Sequence, residues 1–233
     1  MIKIENIEIV GWEPAIRGAR NPMNSWDKSD SYWTHIENPE TLNTARFQYF
    51  VGENDLKLLR NLANAGPDHG KFLRMIQVYC DITAPLYWYK EMDTYRMGVE
   101  KNSCSTMHKI HSKPFEMADF SHKHLNLVGV NMLKVIVDTL EANRRLFLDS
   151  KDKKFWWQLI QLLPSSYNQR RTYMISYAAL RSMYHARKNH KLDEWREFCQ
   201  WVESLPYAAE LITNQEANHD HDKTGIENHN RTR

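Results

Sequence analysis

The stretch from Tyr87 to Ser112 combines the residue types from which binding sites and active sites are built. It contains the run YWYKEMDTYRMG (87–98) and then NSCSTMH (102–108). A helix that only covered a hydrophobic core would show one apolar stripe and one solvated face, whereas this run has polar groups on every side. Buried polar groups need hydrogen-bond partners. The run therefore predicts the lining of a site or a wet interface; the alternative is a surface helix followed by a polar turn.

Composition limits the class of protein. The 233 residues are 42% apolar and 12% aromatic, with only eight glycines and eight prolines, which favours a helix-rich fold over a many-turned β-sandwich. A net charge of +2 does not indicate nucleic-acid binding by bulk electrostatics, and no apolar run approaches the roughly 20 residues of a membrane span. The three cysteines are far apart and predict no disulfide framework, so we expect a reducing cytoplasm.

Hydrophobic periodicity predicts alternating strands and helices around this stretch. A period of two predicts an edge strand at 2–10. Residues 72–83 fit either a helix or a strand, and the β-branched and aromatic residues from Ile76 to Thr83 favour a strand. Pro85 suits the first turn of a helix reaching about Arg96, after which we expect Gly98 and a polar loop. The other predicted elements are a helix at 13–20, a loop at 24–32, and helices at 55–65, 154–162, 177–187 and 192–204.

The longest predicted helix runs from His124 to Phe147, and its spacing predicts one inward apolar face. From Asn214 the chain is polar with almost no apolar residues, which predicts a disordered tail at 214–233 beside a single domain at 1–213. The residues expected to point inward from the long helix are Leu125, Val128, Met132, Val135, Ile136 and Leu140.

Three kinds of site are compatible with residue types in the chain: a metal site, a cysteine nucleophile and a phosphate site. Four histidines, at 108, 111, 122 and 124, flank a loop with Glu116 and Asp119, but their spacings match no zinc signature, and ordinary loop roles are favoured. Cys104 with His108 lacks a third group to orient the base, so a bystander cysteine is favoured. Arg17 and Arg20 share a helix face and could hold a phosphate, although solvation or pairing with Asp27 and Asp30 is commoner.

No Walker A loop and no GxGxxG sequence occurs in the chain. What remains is a set of arginines, hydroxyls and aromatic rings. A phosphorylated planar ligand would use these groups, because a guanidinium binds phosphate and an aromatic face stacks on a base.

The run LPSSYNQRRTYMISYAALRSMYHARKNHKLDEW (163–195) resembles the C-terminal half of the flavin-dependent thymidylate synthases. In that family a Leu-Pro precedes a strand, and an Asn-Ala-Arg opens a helix that ends in an arginine. Without gaps, the family's asparagine falls on Ser176 and its helix-end arginine on Arg187. The resemblance implies that Arg187 contacts and activates the pyrimidine of a nucleotide.

The N-terminal half is similar in plan, with departures. Residues 65–69, the strand to Thr83, and 102–108 occupy the places of the family's Gly-His motif, its strand and its serine-rich nucleotide loop, and the loop serine falls on Ser105. The flavin-binding Arg-His-Arg becomes Met-Asp-Thr at 92–94. The loop's glutamate and arginine become Ser103 and Met107, and Ala84 replaces the arginine of a Ser-Arg pair.

The resemblance implies an α+β fold with long helices on a small mixed sheet, assembled as a homotetramer. It implies methyl or hydroxymethyl transfer to C5 of a dUMP-like pyrimidine nucleotide, with FAD, a folate carbon donor and NADPH; the alternative is a catalytically inactive nucleotide-binding protein of the same fold. The divergence suggests a phage protein acting in the cytoplasm of a bacterial host, with no metal, membrane or nucleic-acid partner. The implied site residues are Arg187 for catalysis, Ser103, Ser105, His108, Arg96 and Arg187 for the nucleotide, and Ser176, Trp88, Glu91 and His69 for the cofactor.

Overall fold

The computed structural model describes residues 2–36 and 46–214, so the predicted tail lies almost entirely outside the described residues. None of the helices described is long and apolar enough to cross a membrane. The elements in chain order are β1 (Lys3–Val10), α1 (Trp12–Arg20), β2 (Tyr32–Ile36), β3 (Arg46–Phe50), α2 (Glu53–Asn64), β4 (Gln77–Pro85), α3 (Leu86–Met92), β5 (Val99–Ser103), α4 (Leu127–Ser150), α5 (Lys153–Leu162), β6 (Asn168–Ser176), α6 (Tyr177–Arg187), α7 (Asp193–Glu203) and α8 (Ala208–Leu211).

A four-stranded sheet in the order β1-β4-β6-β5 forms the centre of the fold, and β2 pairs with β3 in a separate two-stranded sheet. Each described strand runs opposite to its neighbour, so the expected mixed sheet is an antiparallel one. The α+β class is confirmed, and β1 is an edge strand as its pattern predicted. Alternation along β4 buries Val78, Cys80, Ile82 and Ala84 on one face, as a half-buried strand requires.

The buried face of the sheet supports the main core. Helices α3, α6 and α7 contribute its largest side chains, among them Trp88, Tyr177, Trp195 and Phe198, all of which have 0% relative exposure. Trp88 is central: its ring centroid lies 4.9 Å from that of Trp195 and 5.9 Å from that of Phe198. These contacts connect α3, in the 87–112 stretch, to α7.

A second core lies between α4 and α5, and it corrects the predicted face of α4. The helix begins at Leu127 rather than His124, and its buried residues are Leu133, Val137 and Leu140, which cluster with Leu159 of α5. Of the residues predicted to point inward only Leu140 is buried and Ile136 partly so. Helix α4 carries leucines and valines on several of its faces, so hydrophobic periodicity alone could not predict which face packs against α5. The others are exposed, with relative accessibilities of 45% for Leu125, 73% for Val128, 60% for Met132 and 58% for Val135.

The helix predicted after Pro85 is confirmed, but its predicted end near Arg96 and the polar loop predicted directly after Gly98 are wrong. Helix α3 ends at Met92, where the amides of Thr94 and Tyr95 turn back to the carbonyls of Glu91 and Met92. Strand β5 then pairs with β6 over Val99–Ser103. Its sequence is polar because only Val99 is buried; an outer strand is held by backbone hydrogen bonds that need no apolar side chains.

Arg20 forms a structural ion pair with Asp55, rather than the favoured pairing with Asp27 or Asp30 or the alternative phosphate site with Arg17. Its Nε lies 2.6 Å from Asp55 Oδ1, and both side chains are buried. Burial raises the pKa of Asp55, but hydrogen bonds from Ser31 and Ser29 and the contact with Arg20 outweigh it, so the pKa lies below its ordinary value. A buried charge needs such partners. This pair fixes the loop after α1 against α2.

Candidate functional site

Arg187, the last residue of α6, is held by two side chains of the run 87–98, Glu91 and Tyr95. Its Nε donates to Tyr95 Oη at 2.9 Å, and its Nη1 donates to Glu91 Oε2 at 2.8 Å. The guanidinium carbon lies 5.0 Å from the ring centroid of Trp195. An arginine paired and stacked in this way is fixed in orientation before any ligand arrives.

Glu91 is the centre of this arrangement. Its Oε2 also accepts a hydrogen bond from Trp195 Nε1 at 3.0 Å, and His190 Nε2 lies 3.2 Å away. The side chain of Arg187 retains 22% exposure and that of Glu91 35%. The cluster therefore reaches the surface, and a ligand can approach Arg187 without unfolding the core.

Trp88 and Ser176, both implied cofactor residues, are buried in this chain. Trp88 has 0% exposure within the main core. Ser176 is the N-cap of α6, and its Oγ accepts from the amide of Ala179 at 3.2 Å. A Cβ on Gly98 would lie 2.4 Å from that Oγ. Both side chains thus hold the elements around α6 in place.

A cavity of about 780 Å3, here called the α6 cavity, lies along α6 from Ala178 to Ala186. The turn of Gly66, Pro67 and Gly70 forms its other wall, next to the exposed His69. Its charged and titratable lining consists of Arg74, Arg181 and His185, and among the described residues none that line it is acidic. Arg181 is buried and donates to the carbonyl of Leu211 at 2.8 Å. The cavity therefore suits an anionic ligand.

The loop after β5 forms a second cavity, the serine-loop cavity, of about 430 Å3. Ser105 Oγ accepts from the amides of Met107 and His108 at 3.2 and 2.9 Å, which shapes the loop. The cavity lining combines hydroxyls, amides and the carboxylate of Asp119 with three cationic side chains. They are Lys109, which has no ion-pair partner within the described residues, Lys113, which pairs with Asp119, and Arg170, which pairs with Asp81.

The other residues that the resemblance implies for nucleotide binding are Ser103, His108 and Arg96, and they do not line a common cavity with Ser105. Ser103 ends β5 and is exposed, as are His108 and Arg96. Arg96 lies in the turn between α3 and β5. Neither Ser103, His108 nor Arg96 lines the serine-loop cavity. Arg187 lines neither cavity. The structure thus unites Arg187 with Glu91, and places Ser105 apart from them.

The positions aligned with Arg-His-Arg carry no free positive charge. Met92 is buried in the main core. Asp93 accepts from Arg171 Nη1 at 2.8 Å and also pairs with Lys101. The guanidinium carbon of Arg171 lies 3.7 Å from the ring centroid of Tyr89. The positive charge beside this segment therefore belongs to Arg171 of β6 and Lys101 of β5, and both are paired with Asp93.

The weighed metal and thiol chemistries find no support in the described residues. Within 2–36 and 46–214 no three metal-ligating side chains cluster. Cys104 is exposed, while Cys80 and Cys199 are buried. Burial raises the pKa of Cys80 to about 12 and that of Cys199 to about 11, so both remain protonated thiols at neutral pH.

Comparisons with known proteins identify the fold. No protein-family profile and no curated protein matches the sequence. Among solved structures, thymidylate synthase X from Helicobacter pylori, solved with FAD and dUMP, is similar with a TM-score of 0.64 and 17% identity, over 91% of this chain and 98% of that chain. A second structure of the flavin-dependent thymidylate synthase from that organism, complexed with FAD and dUMP, has a TM-score of 0.62 and 17% identity, over 90% and 98%. This chain has the fold of the flavin-dependent thymidylate synthases.

Sequence reasoning missed the partners of the implied residues. Glu91, assigned to the cofactor, holds Arg187, and Lys109, Lys113 and Arg170 were not considered as ligand-binding cations. The mixture of charged and aromatic residues in 87–98 could have indicated that Glu91 pairs with a cation such as Arg187. Hydrophobic periodicity could not have predicted that Lys109, Lys113 and Arg170 line one cavity, because they come from a loop and from β6.

Proposed function

We propose that this chain is a divergent protein of the flavin-dependent thymidylate synthase type, which transfers a methyl or hydroxymethyl group to C5 of a dUMP-like pyrimidine nucleotide. The observation that carries the proposal is helix α6, which has along its length a cavity of about 780 Å3 with no acidic side chain among its described lining residues, and an oriented arginine at its last residue. The similar solved structures, which contain FAD and dUMP, support it at the level of the fold.

For the nucleotide, the serine-loop cavity offers a phosphate site. Its volume of about 430 Å3 falls within the usual range of small-molecule pockets, about 300–1,000 Å3. Lys109 would neutralise the phosphate, and Ser105 and Asn168 line the same cavity. Arg187 would then donate to a pyrimidine carbonyl, where a fixed cation stabilises developing negative charge.

The side chains of the α6 cavity fit FAD. The cofactor carries a diphosphate, and Arg74, Arg181 and His185 line the cavity without a carboxylate among the described residues. FAD would supply hydride transfer, with the carbon from a folate donor and the reducing equivalents from NADPH. This chain would bind and orient the cofactor, and His69 lies beside the cavity, in the turn of its outer wall.

A second function, nucleotide binding without catalysis, is favoured by one observation. Asp93, aligned with the middle of the Arg-His-Arg motif, is negatively charged and engaged by Arg171 and Lys101. A carboxylate there cannot replace the cofactor contact that the resemblance implies for this position. This function retains the serine-loop cavity and dispenses with the cofactor.

We further propose that the protein is a homotetramer. Val128, Met132 and Val135 form an exposed apolar stripe along α4 at helical spacing. Contiguous exposed apolar residues mark contact surfaces. A second copy would cover them and could bring Ser105 of one subunit towards Arg187 of another, since the resemblance implies sites built from several subunits.

The test combines cofactor retention with nucleotide binding. The absorption spectrum of the purified protein, before and after addition of FAD, should show flavin bands that co-elute with it. Titration calorimetry with dUMP should give saturable binding that Lys109→Gln weakens about tenfold, whereas Lys57→Gln, an exposed lysine on α2, leaves it unchanged.

Three outcomes separate the functions. Retained flavin and dUMP binding support the synthase. Binding of dUMP by a colourless protein that retains no added FAD supports the nucleotide-binding protein and contradicts the synthase. Failure to bind dUMP with or without FAD contradicts both.

A further inference from the structure

A third cavity, here called the aromatic cavity, is separate from the two cavities proposed for the nucleotide and the cofactor. It has a volume of about 840 Å3 and lies between β1, the start of α1 and the β2–β3 sheet. It shares no lining residue with the α6 cavity or the serine-loop cavity. Any ligand it holds is therefore distinct from the proposed nucleotide and cofactor.

Two pairs of aromatic rings line this cavity. Trp33 and Tyr49 are neighbours on the paired strands β2 and β3, and their ring centroids lie 5.1 Å apart. The ring centroids of Trp12 and Tyr207 lie 5.2 Å apart. Trp33 is 56% exposed. A large aromatic side chain kept open to solvent beside three others offers unused ring surface to a ligand.

Hydrogen bonds fix two of the four rings, those of Trp33 and Tyr207, in place. Trp33 Nε1 donates to Glu13 Oε2 at 2.9 Å, which ties β2 to the start of α1. Tyr207 Oη accepts from the amide of Val51 at 3.1 Å, which ties the end of β3 to the C-terminal region. The rings are thus held from two sides, so binding would require little reorganisation.

The charge of the lining has one sign. Glu8 and Glu13 are its charged residues, and none of the described residues that line it is basic. Glu8 makes no hydrogen bond or ion pair with its side chain within 2–36 and 46–214, and it is exposed on β1. Aromatic faces and carboxylates both attract cations, and together they form the usual recognition site for organic ammonium groups.

We propose that the aromatic cavity binds a small organic ammonium ion of the diamine or polyamine class. The ammonium groups lie against the faces of Trp33 and Tyr49 and pair with Glu8 and Glu13, while the aliphatic chain lies along the apolar side chains of β1. A metal ion fits the cavity less well, because hard cations need six or more oxygen ligands and the walls are aromatic.

Titration calorimetry with putrescine tests the proposal, with butanediol as the neutral ligand of the same length. Putrescine should bind saturably at physiological salt and butanediol should not. Glu8→Gln and Trp33→Leu should each weaken putrescine binding about tenfold. The control Glu100→Gln removes an exposed carboxylate from β5, away from the cavity, and should leave the affinity unchanged.

Glu8→Gln should leave the fold intact, because the Glu8 side chain has no hydrogen-bond or ion-pair partner within the described residues. Its melting temperature should equal that of the wild type. Absence of saturable putrescine binding overturns the proposal. So does an equal loss of affinity in Glu100→Gln, since that would indicate attraction to the overall charge. Equal binding of butanediol overturns the ammonium assignment. None of these outcomes depends on dUMP or FAD binding.

Discussion

Glu91 and Arg187 form an ion pair at 2.8 Å that joins the end of α3 to the end of α6 across 96 residues of sequence. Trp195 of α7 donates to the same carboxylate oxygen. Three helices thus meet at one carboxylate. The pair fixes the direction of the guanidinium, and it also compensates part of the charge that a ligand would use.

Arg187→Ala should lower the affinity for dUMP by at least about tenfold, since one charge-assisted contact to the pyrimidine is lost. The melting temperature should fall by only a few degrees, because Glu91 keeps its hydrogen bond from Trp195 and is partly exposed to water. Calorimetry and thermal unfolding measure the two effects. Lys188→Ala, an exposed lysine one residue further, is the matched control; wild-type affinity in Arg187→Ala would contradict the site.

Gly98→Ala should destabilise the protein more than Gly66→Ala. Both glycines have positive φ, +69° and +103°, so each alanine carries backbone strain of about 1–2 kcal/mol. A Cβ at Gly98 would also lie 2.4 Å from Ser176 Oγ, which caps α6, whereas a Cβ at Gly66 meets no atom within 4 Å. Denaturant unfolding of both variants measures the difference. Equal destabilisation would show that the Ser176 contact is unimportant.

Asp81 predicts a specific loss of stability in acid. Hydrogen bonds from Thr172, Arg170 and Asn6 lower its pKa to about 2, from an ordinary value of 3.8. A carboxyl whose pKa is lower in the folded state adds stability above its unfolded pKa, and this is lost as the pH falls through the folded value. The loss should therefore occur between pH 3.8 and about 2.

Asp81→Asn should be less stable than the wild type at neutral pH, and the two melting temperatures should converge towards pH 2. Thermal unfolding across the pH range measures this. Asp68→Asn, at an exposed carboxylate, serves as control and should follow the wild-type curve. A gap between Asp81→Asn and the wild type that stays constant with pH would contradict the assignment.

Met132→Asp should dissociate the proposed tetramer. Met132 is 60% exposed on α4, so the charge costs the isolated chain little, but in an apolar contact it would be desolvated and unpaired. Light scattering after size exclusion should report a smaller particle with an unchanged circular dichroism spectrum. Asn131→Asp adds the same charge at the neighbouring exposed position and should leave the mass unchanged. A monomeric wild type would contradict the proposal outright.

Local sequence determined most of the helices and strands. Helix α6 runs from Tyr177 to Arg187 as predicted, and α1, α5 and α7 agree to within one residue at each end. Alternation identified β1, and β-branched and aromatic content favoured a strand at β4. These elements were predictable because burial on one face leaves a periodic signature in the sequence. The resemblance at 163–195 supplied the fold, which the comparisons with solved structures confirm.

The sites were decided by tertiary structure. Strand β5 has no apolar periodicity, since its pairing with β6 depends on backbone hydrogen bonds and on a glycine turn. The apolar residues of α4 do not say which of them α5 covers. Arg20 and Asp55 find each other across 35 residues, and Glu91 and Arg187 across 96. A charge in the sequence has many possible partners, and only the packing of the helices selects the one it meets, because desolvation penalises every unpaired arrangement.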